Sequence, residues 1–255
     1  MLKIFNKKEK TFDRENLFLG SHPILQNSEI IFNGHNNILV CDKNVKLIDS
    51  RLCFQGNNSL IYLKGGEYKL SVDIYHHSVL YAGENNFFNQ ALSIILSEGK
   101  NVFLGDNNNF SLNIWMRNSD AHLIYDITSK KRLNFSKSIY IGDNIWIGQD
   151  TFILKGTHIC SGSIIGAQSV VANKAISAHS LWCGNPAKEI KSNVCWSRSC
   201  VHKWQKEDTL KNKEYDKRKI SFSKRFLYDQ DFIQIEKTLE TLTSAYDKYL
   251  FLKEI

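Results

Sequence analysis

An aliphatic residue at every sixth position predicts an all-β parallel solenoid, followed by an α-helical extension at the carboxy-terminal end. Three observations carry that prediction. Ile141, Ile147, Ile153, Ile159, Ile165 and Val171 stand in strict register. The blocks they open, such as Ile-Gly-Asp-Asn-Ile-Trp and Ile-Gly-Ala-Gln-Ser-Val, favour small or β-branched residues in fifth place. Beyond them, Phe232, Ile235, Leu239, Leu242, Tyr246 and Tyr249 alternate spacings of three and four. A helix repeats its apolar face every ~3.6 residues and a strand every ~2, so a period of six means that one short strand and one turn recur as a unit. Three such units close one triangular coil. The aliphatic first residue points inward and stacks on the next coil, while Gly142, Gly148 and Gly166 occupy corners with little room for a side chain.

Taken in order, residues 1–28 read as an N-terminal extension outside the repeat. Residues 29–192 form the solenoid domain, regular in its second half and looser in its first. There the rungs are traced through Ile38, Val45, Leu52, Leu60, Leu80, Leu104, Phe110 and Met116, with register holding only in parts. Asn57-Asn58, Asn85-Asn86 and Asn107-Asn108-Asn109 suit corners, because Asn tolerates left-handed backbone better than most residues. Insertions at corners explain the breaks. Between 117 and 138 the rhythm stops in a polar insertion flanked by regular rungs, the place where a solenoid usually carries function. Residues 193–255 form the helical extension, in which the three-four stripe predicts a helix capped by Asp229 or Asp231 and packed on its own solenoid rather than free as a coiled coil.

Composition narrows the function classes. At 255 residues and 42% hydrophobic content, the chain buries one substantial core plus appendages. No stretch approaches the roughly 18 apolar residues of a membrane span. The charged start, Met-Leu-Lys-Ile-Phe-Asn-Lys-Lys-Glu-Lys, lacks a signal-peptide core, which predicts a cytoplasmic protein. Cys41, Cys53, Cys160, Cys183, Cys195 and Cys200 form no Cys-x-x-Cys pair and read as reduced thiols. The formal charge of +7 suits an anionic partner, yet no nucleic-acid reading module accompanies it.

The run Gly-Asp-Asn-Ile-Trp-Ile-Gly (142–148), the run Ile-Gly-Ala-Gln-Ser-Val-Val (165–171) and the terminal Gly-Asn-Pro-Ala-Lys (184–188) resemble the hexapeptide-repeat family, the left-handed parallel β-helix proteins. Most of these are acyltransferases that use acetyl-coenzyme A. Within the insertion, Ser119-Asp120-Ala121-His122-Leu123-Ile124-Tyr125-Asp126 looks like the Ser-Asp-x-His-x-Ile-Tyr-Asp segment of bacterial surface-polysaccharide O-acetyltransferases, including those acting on capsular sialic acid. The resemblance is sharp only over residues 114–191. It implies a homotrimer, in which a partner prism closes each coenzyme groove.

An alcohol is a weak nucleophile at neutral pH, so acetyl transfer from a thioester needs a group that takes the hydroxyl proton. Histidine suits that task. The resemblance makes His122 the general base and Trp146 the residue that orients the thioester or acceptor at the same site. Asp120, or alternatively Asp126, would hold the other imidazole nitrogen. A backbone N–H near Gly148 or Gln149 would stabilise the oxyanion. By resemblance again, Gly148, Gly166, Ala167 and Gly184 line the pantetheine path, and Lys174, Lys188 and Lys191 meet the nucleotide phosphates. The corner glycines are required by the fold with or without a ligand. Arg117, Ser119 and Tyr125 are the expected acceptor contacts. Arg117 with Lys130, Lys131 and Arg132 surrounds His122 with positive charge, which points to an acidic glycan such as a sialic acid polymer. No metal is expected: the same β-helix carries zinc-dependent carbonic anhydrases, but no spaced histidine trio stands in these rungs. The competing readings are an amino sugar or antibiotic-like acceptor, and a non-enzymatic sugar-binding or scaffold protein.

Overall fold

The hexad rhythm builds a prism because parallel pairing puts each rung directly over its counterpart. Ile147 pairs with Phe110 on one side and Ile165 on the other, Ile153 lies between Met116 and Val171, and Ile141 between Leu104 and Ile159. All of these side chains are fully buried and share one continuous core. The computed structural model describes residues 2–4, 15–216, 220 and 222–255.

Three faces enclose that core. The first runs from Leu17–Gly20 through Ile38–Cys41, Val102–Leu104 and Ile139–Ile141 to Ala175–Ile176. The second begins with Ile24–Gln26, Val45–Ile48 and Gly66–Tyr68 and continues through Phe87–Phe88, Asn109–Phe110, Trp146–Ile147 and Ile164–Ile165 to Leu181–Cys183. The third runs from Glu29–Phe32 through Arg51–Phe54 and Trp115–Arg117 to Phe152–Leu154 and Val170–Val171. The fold is the left-handed β-helix that the hexad pattern predicted, with helices at its carboxy-terminal end.

Coil length explains where the pattern was hard to follow. Tyr140 pairs with His158, 18 residues on, which is three hexads. In the first half the step is longer, as from Ile38 to Leu60, so extra residues sit at the corners. Asn58, Asn85 and Asn107 take positive φ there, as their residue type favours. Buried Asn side chains run up one corner as a ladder: Asn86 Oδ1 accepts from Asn108 N, and Asn108 Oδ1 from Ile145 N. From Val102 to Ile139 the step is 37 residues, and the excess is the insertion.

Two expectations about the first half change. Leu17–Gly20 and Ile24–Gln26 pair in parallel with the next coil, so the ladder begins upstream of residue 28, and Leu2–Ile4 pairs antiparallel with residues 30–32. Residues 1 and 5–14 lie outside the described residues. Ile38 and Leu60 were expected to point inward; the inward residues are Leu39 and Ile61, while Ile38 and Leu60 join a second apolar cluster outside the prism. The reason is that the first face is buried on both sides. Ile38–Cys41, Leu60–Leu63 and Val79–Ala82 are buried at every position, so the sequence shows a continuous apolar run with no alternation to fix the register.

The carboxy-terminal segment supplies the outer cover. Phe226, Phe232, Ile235, Leu239, Ala245 and Leu252 pack on Tyr62, Tyr81, Phe103 and Tyr140. Phe232 stacks on Tyr140 with ring centres 5.5 Å apart, and Glu236 accepts from Tyr140 Oη and Ser138 Oγ. Arg225 ties the segment to the corner through Asp143 and Asp106. The stripe is two helices, Asp229–Thr241 and Ala245–Lys253, rather than one. Ser244 starts the second by accepting from Asp247 N, and Asp231 is the acid that closes the first turn of the first, accepting from Tyr228 N.

Candidate functional site

The insertion folds back on itself as a short hairpin at the corner between the third and first faces. Asp126 N donates to Lys131 O, Leu133 N to Ile124 O, and Tyr125 bridges Arg132. Its legs are clamped to the prism. Arg132 makes paired bonds to Glu98 at 2.8 and 2.9 Å, and Ser136 Oγ donates to the same carboxylate. The Arg132 guanidinium, helped by Ser136, holds the Glu98 carboxyl down to about 2. Lys137 Nζ donates to Asn173.

His122 stands exposed on this hairpin. Among the described residues its ring makes no hydrogen bond, while its carbonyl accepts from Asn134 Nδ2 at 2.7 Å. The carboxylate expected to orient the imidazole is engaged elsewhere. Asp120 accepts from Lys155 Nζ and Asn134 Nδ2, which hold its carboxyl below the usual range. Asp126 accepts from Ser129 N at the hairpin turn, with the same direction of shift. Ser119 is buried at the base and Tyr125 exposed on the leg. Arg117 is half-buried, and its Nε is buried with no hydrogen-bond partner among the described residues.

Trp146 lies elsewhere. It belongs to the second face, which in a three-sided prism is opposite the corner that carries the hairpin. The indole is 41% exposed, donates to Ser111 Oγ at 3.4 Å and lies 6.2 Å from the Trp196 ring. One chain therefore separates His122 from Trp146, where the sequence had placed them at one site.

Four of the expected coenzyme residues stack in one column at the corner between the second and third faces. A Cβ on Gly148 would come within 2.5 Å of Ala167 N, and one on Gly166 within 2.7 Å of Cys183 Cβ, so packing alone excludes a side chain at both. Gly184 accepts from Val170 N and, with a φ of 101°, turns the chain out of the last rung. Lys188 and Lys191 are exposed on the strand that doubles back along Leu181–Cys183. Lys174 belongs to the hairpin's corner instead, its Nζ 5.8 Å from the Trp182 ring at the prism end. Among the described residues, no group of three His, Cys, Asp or Glu is placed to hold a metal ion, and no helix is long and apolar enough to cross a membrane.

Apolar side chains are exposed on the hairpin and on the third face. Ile127 is 94% exposed at the hairpin tip, and Leu133 and Phe135 are exposed along its leg. Trp115 and Phe152 are exposed side by side on the third face. Sequence reasoning missed Glu98, Asn134, Lys155 and Trp196. Glu98, Lys155 and Trp196 lie in other coils or outside the repeat and come near the site only through folding, whereas Asn134 meets His122 because the insertion folds back on itself.

No family model matches the chain. It is 29% identical over 184 residues to the polysialic acid O-acetyltransferase of Neisseria meningitidis, covering 71% of this chain and 85% of that protein. With the polysialic acid O-acetyltransferase of Escherichia coli O1:K1 / APEC it shares 40% identity over 105 residues, which span 34% of that protein. The crystal structure of the polySia-specific acetyltransferase NeuO superposes with a TM-score of 0.66 at 30% identity, covering 78% of this chain and 93% of that one.

Proposed function

This chain belongs to the hexapeptide-repeat acetyltransferase family of the polysialic acid O-acetyltransferases, and on that premise we propose that it moves acetyl from acetyl-coenzyme A to a hydroxyl of a sialic-acid-containing surface glycan. The observation that carries the reading is the exposed, tethered His122, set in the sequence segment that resembles these enzymes and on a hairpin outside the repeat. In this reading His122 takes the proton of the acceptor hydroxyl as the oxygen attacks the thioester carbonyl. The oxygen–acyl bond forms as the carbon–sulfur bond breaks, and the proton leaves on the imidazole while coenzyme A departs as thiolate. A backbone N–H at the Gly148 and Gln149 corner stabilises the oxyanion.

The separation of His122 from Trp146 supports a trimer. A hairpin that reaches a neighbouring prism brings His122 to the partner's copy of the second face, where Trp146 and the glycine column stand. Burial of Ile127, Leu133, Trp115 and Phe152 between copies would remove apolar surface from water at roughly 25 cal/mol per Å². Pantetheine lies along Gly148, Gly166, Ala167 and Gly184, with Lys188 and Lys191 at the phosphates. Arg117 supports an acidic acceptor through its permanent positive charge on a half-buried side chain at the start of the insertion. The protein acts in the cytoplasm, where acetyl-coenzyme A is made.

The test is to incubate the protein with acetyl-coenzyme A and a glycan panel, following free thiol release and product mass. His122→Ala is expected to keep coenzyme affinity while turnover falls by about 100-fold or more. Near-normal turnover in that variant would remove the base assignment.

A further inference from the structure

Asn134 is 7% exposed at the root of the hairpin, and its side-chain amide is used on both sides. Oδ1 accepts from Ile124 N at 2.9 Å; Nδ2 donates to His122 O at 2.7 Å and to Asp120 Oδ2 at 2.9 Å. The orientation of the amide follows from its partners, since a backbone N–H can only donate and a carbonyl or carboxylate can only accept. One planar group thus fixes the peptides on both sides of Leu123. Through Asp120 it also holds the chain just before His122, and Asp120 is anchored in turn to Lys155 in the next coil. The His122 ring, by contrast, makes no hydrogen bond among the described residues, so no carboxylate among them sets its direction. What is fixed is the backbone from which it projects.

We propose that Asn134 is the positioning residue of acetyl transfer: its amide locks the His122 backbone so that the imidazole meets the acceptor hydroxyl in reactive geometry, a task usually given to a carboxylate behind the imidazole. The inference rests on His122 being the base. A misplacement of about 1 Å at a reacting group can lower the rate by about 100-fold, which sets the scale of the effect.

Three variants of the full-length protein test it, assayed with acetyl-coenzyme A and oligosialic acid. Asn134→Ala removes these three bonds, together with a longer one that Oδ1 accepts from Arg132 Nε at 3.4 Å, and is expected to lower kcat about 10- to 100-fold. Asn134→Asp keeps the acceptor for Ile124 N but loses both donors and sets a second carboxylate against Asp120; it is expected to lose at least as much. Lys137→Ala removes a tether of the same insertion, to Asn173, without touching the His122 backbone, and kcat should stay within about twofold. The KM for acetyl-coenzyme A should be unchanged in all three, because neither Asn134 nor Lys137 is among the residues assigned to the coenzyme. In Asn134→Ala the plateau of the kcat pH profile should fall without a change in the profile's shape, since the base is the same group in a worse position.

Asn134 variants within twofold of the parent would overturn the proposal. So would an equal loss in Lys137→Ala, which would mean that any disturbance of the insertion suffices, or a fall in kcat that comes with lost coenzyme binding and a lower Tm. His122→Ala, run beside them, separates the two ideas. Normal turnover in that variant removes the base, whereas a dead His122→Ala beside active Asn134 variants removes only the positioning role.

Discussion

Phe152 and Ile153 are adjacent in sequence and opposite in fate, which makes them a sharp test of the solenoid's register. Ile153 is fully buried between Met116 and Val171, whereas Phe152 is 43% exposed beside Trp115 on the outer third face. Ile153→Ala removes three carbons from the core, about 2.4 kcal/mol at ~0.8 kcal/mol per buried carbon. Stacked rungs on both sides cannot collapse into the gap, so the residual cavity raises the loss to about 3–4 kcal/mol. Phe152→Ala deletes a larger side chain, but an exposed one, and in a single protomer should cost under ~1 kcal/mol. The assay is equilibrium urea unfolding of each variant at several protein concentrations, with the loss taken from the shift in midpoint at constant slope. A cost for Phe152→Ala that grows with concentration is the expected sign that a second copy covers the third face. Equal costs for the two variants at the highest dilution, or a loss under ~1 kcal/mol for Ile153→Ala, would refute the register.

Other expectations follow from the same structure. The depressed Glu98 carboxyl contributes to hairpin docking fully above its ordinary value near 4.5 and loses that contribution as pH falls through about 2. Because Glu98 is 43% exposed, solvent limits the contribution to about 1 kcal/mol; a carboxyl carbon titration with its midpoint near 4.5 would show that the Arg132 clamp is absent in solution. The protein should sediment as a trimer with three coenzyme sites shared between neighbours, and a monomer fully active at assay dilution would rule this out. With coenzyme saturating, the KM for an acidic glycan should rise steeply from low to physiological salt, where the Debye length falls to about 8 Å, while a neutral glycan responds little. Preferred acetylation of the neutral glycan with a flat salt response would remove the sialic acid reading in favour of a generic sugar acceptor.

The regular second half of the prism was legible because each rung there obeys one local rule. An aliphatic residue every sixth position and a tight corner between them can be read with no knowledge of what lies across the coil, so Ile141 to Val171 point to their neighbours unaided. The first half was harder, because its coils carry extra corner residues and its first face is buried on both sides, which removes the alternation that tells inside from outside. His122 was legible as a motif within one continuous stretch of chain. Its surroundings were not. Glu98 meets Arg132 and Ser136, and Lys155 meets Asp120, only because a coil returns the chain to the same corner after one full turn. The C-terminal stripe announced helix but not the break at Ser244, which local capping decides, nor the face it covers, which the aromatic surface of Tyr62, Tyr81, Phe103 and Tyr140 decides. Periodicity is a property of neighbours along the chain and survives in the sequence. The opposition of His122 and Trp146 across the prism is a property of closure, set by how many residues each coil takes to come round, and it exists only once the chain has folded.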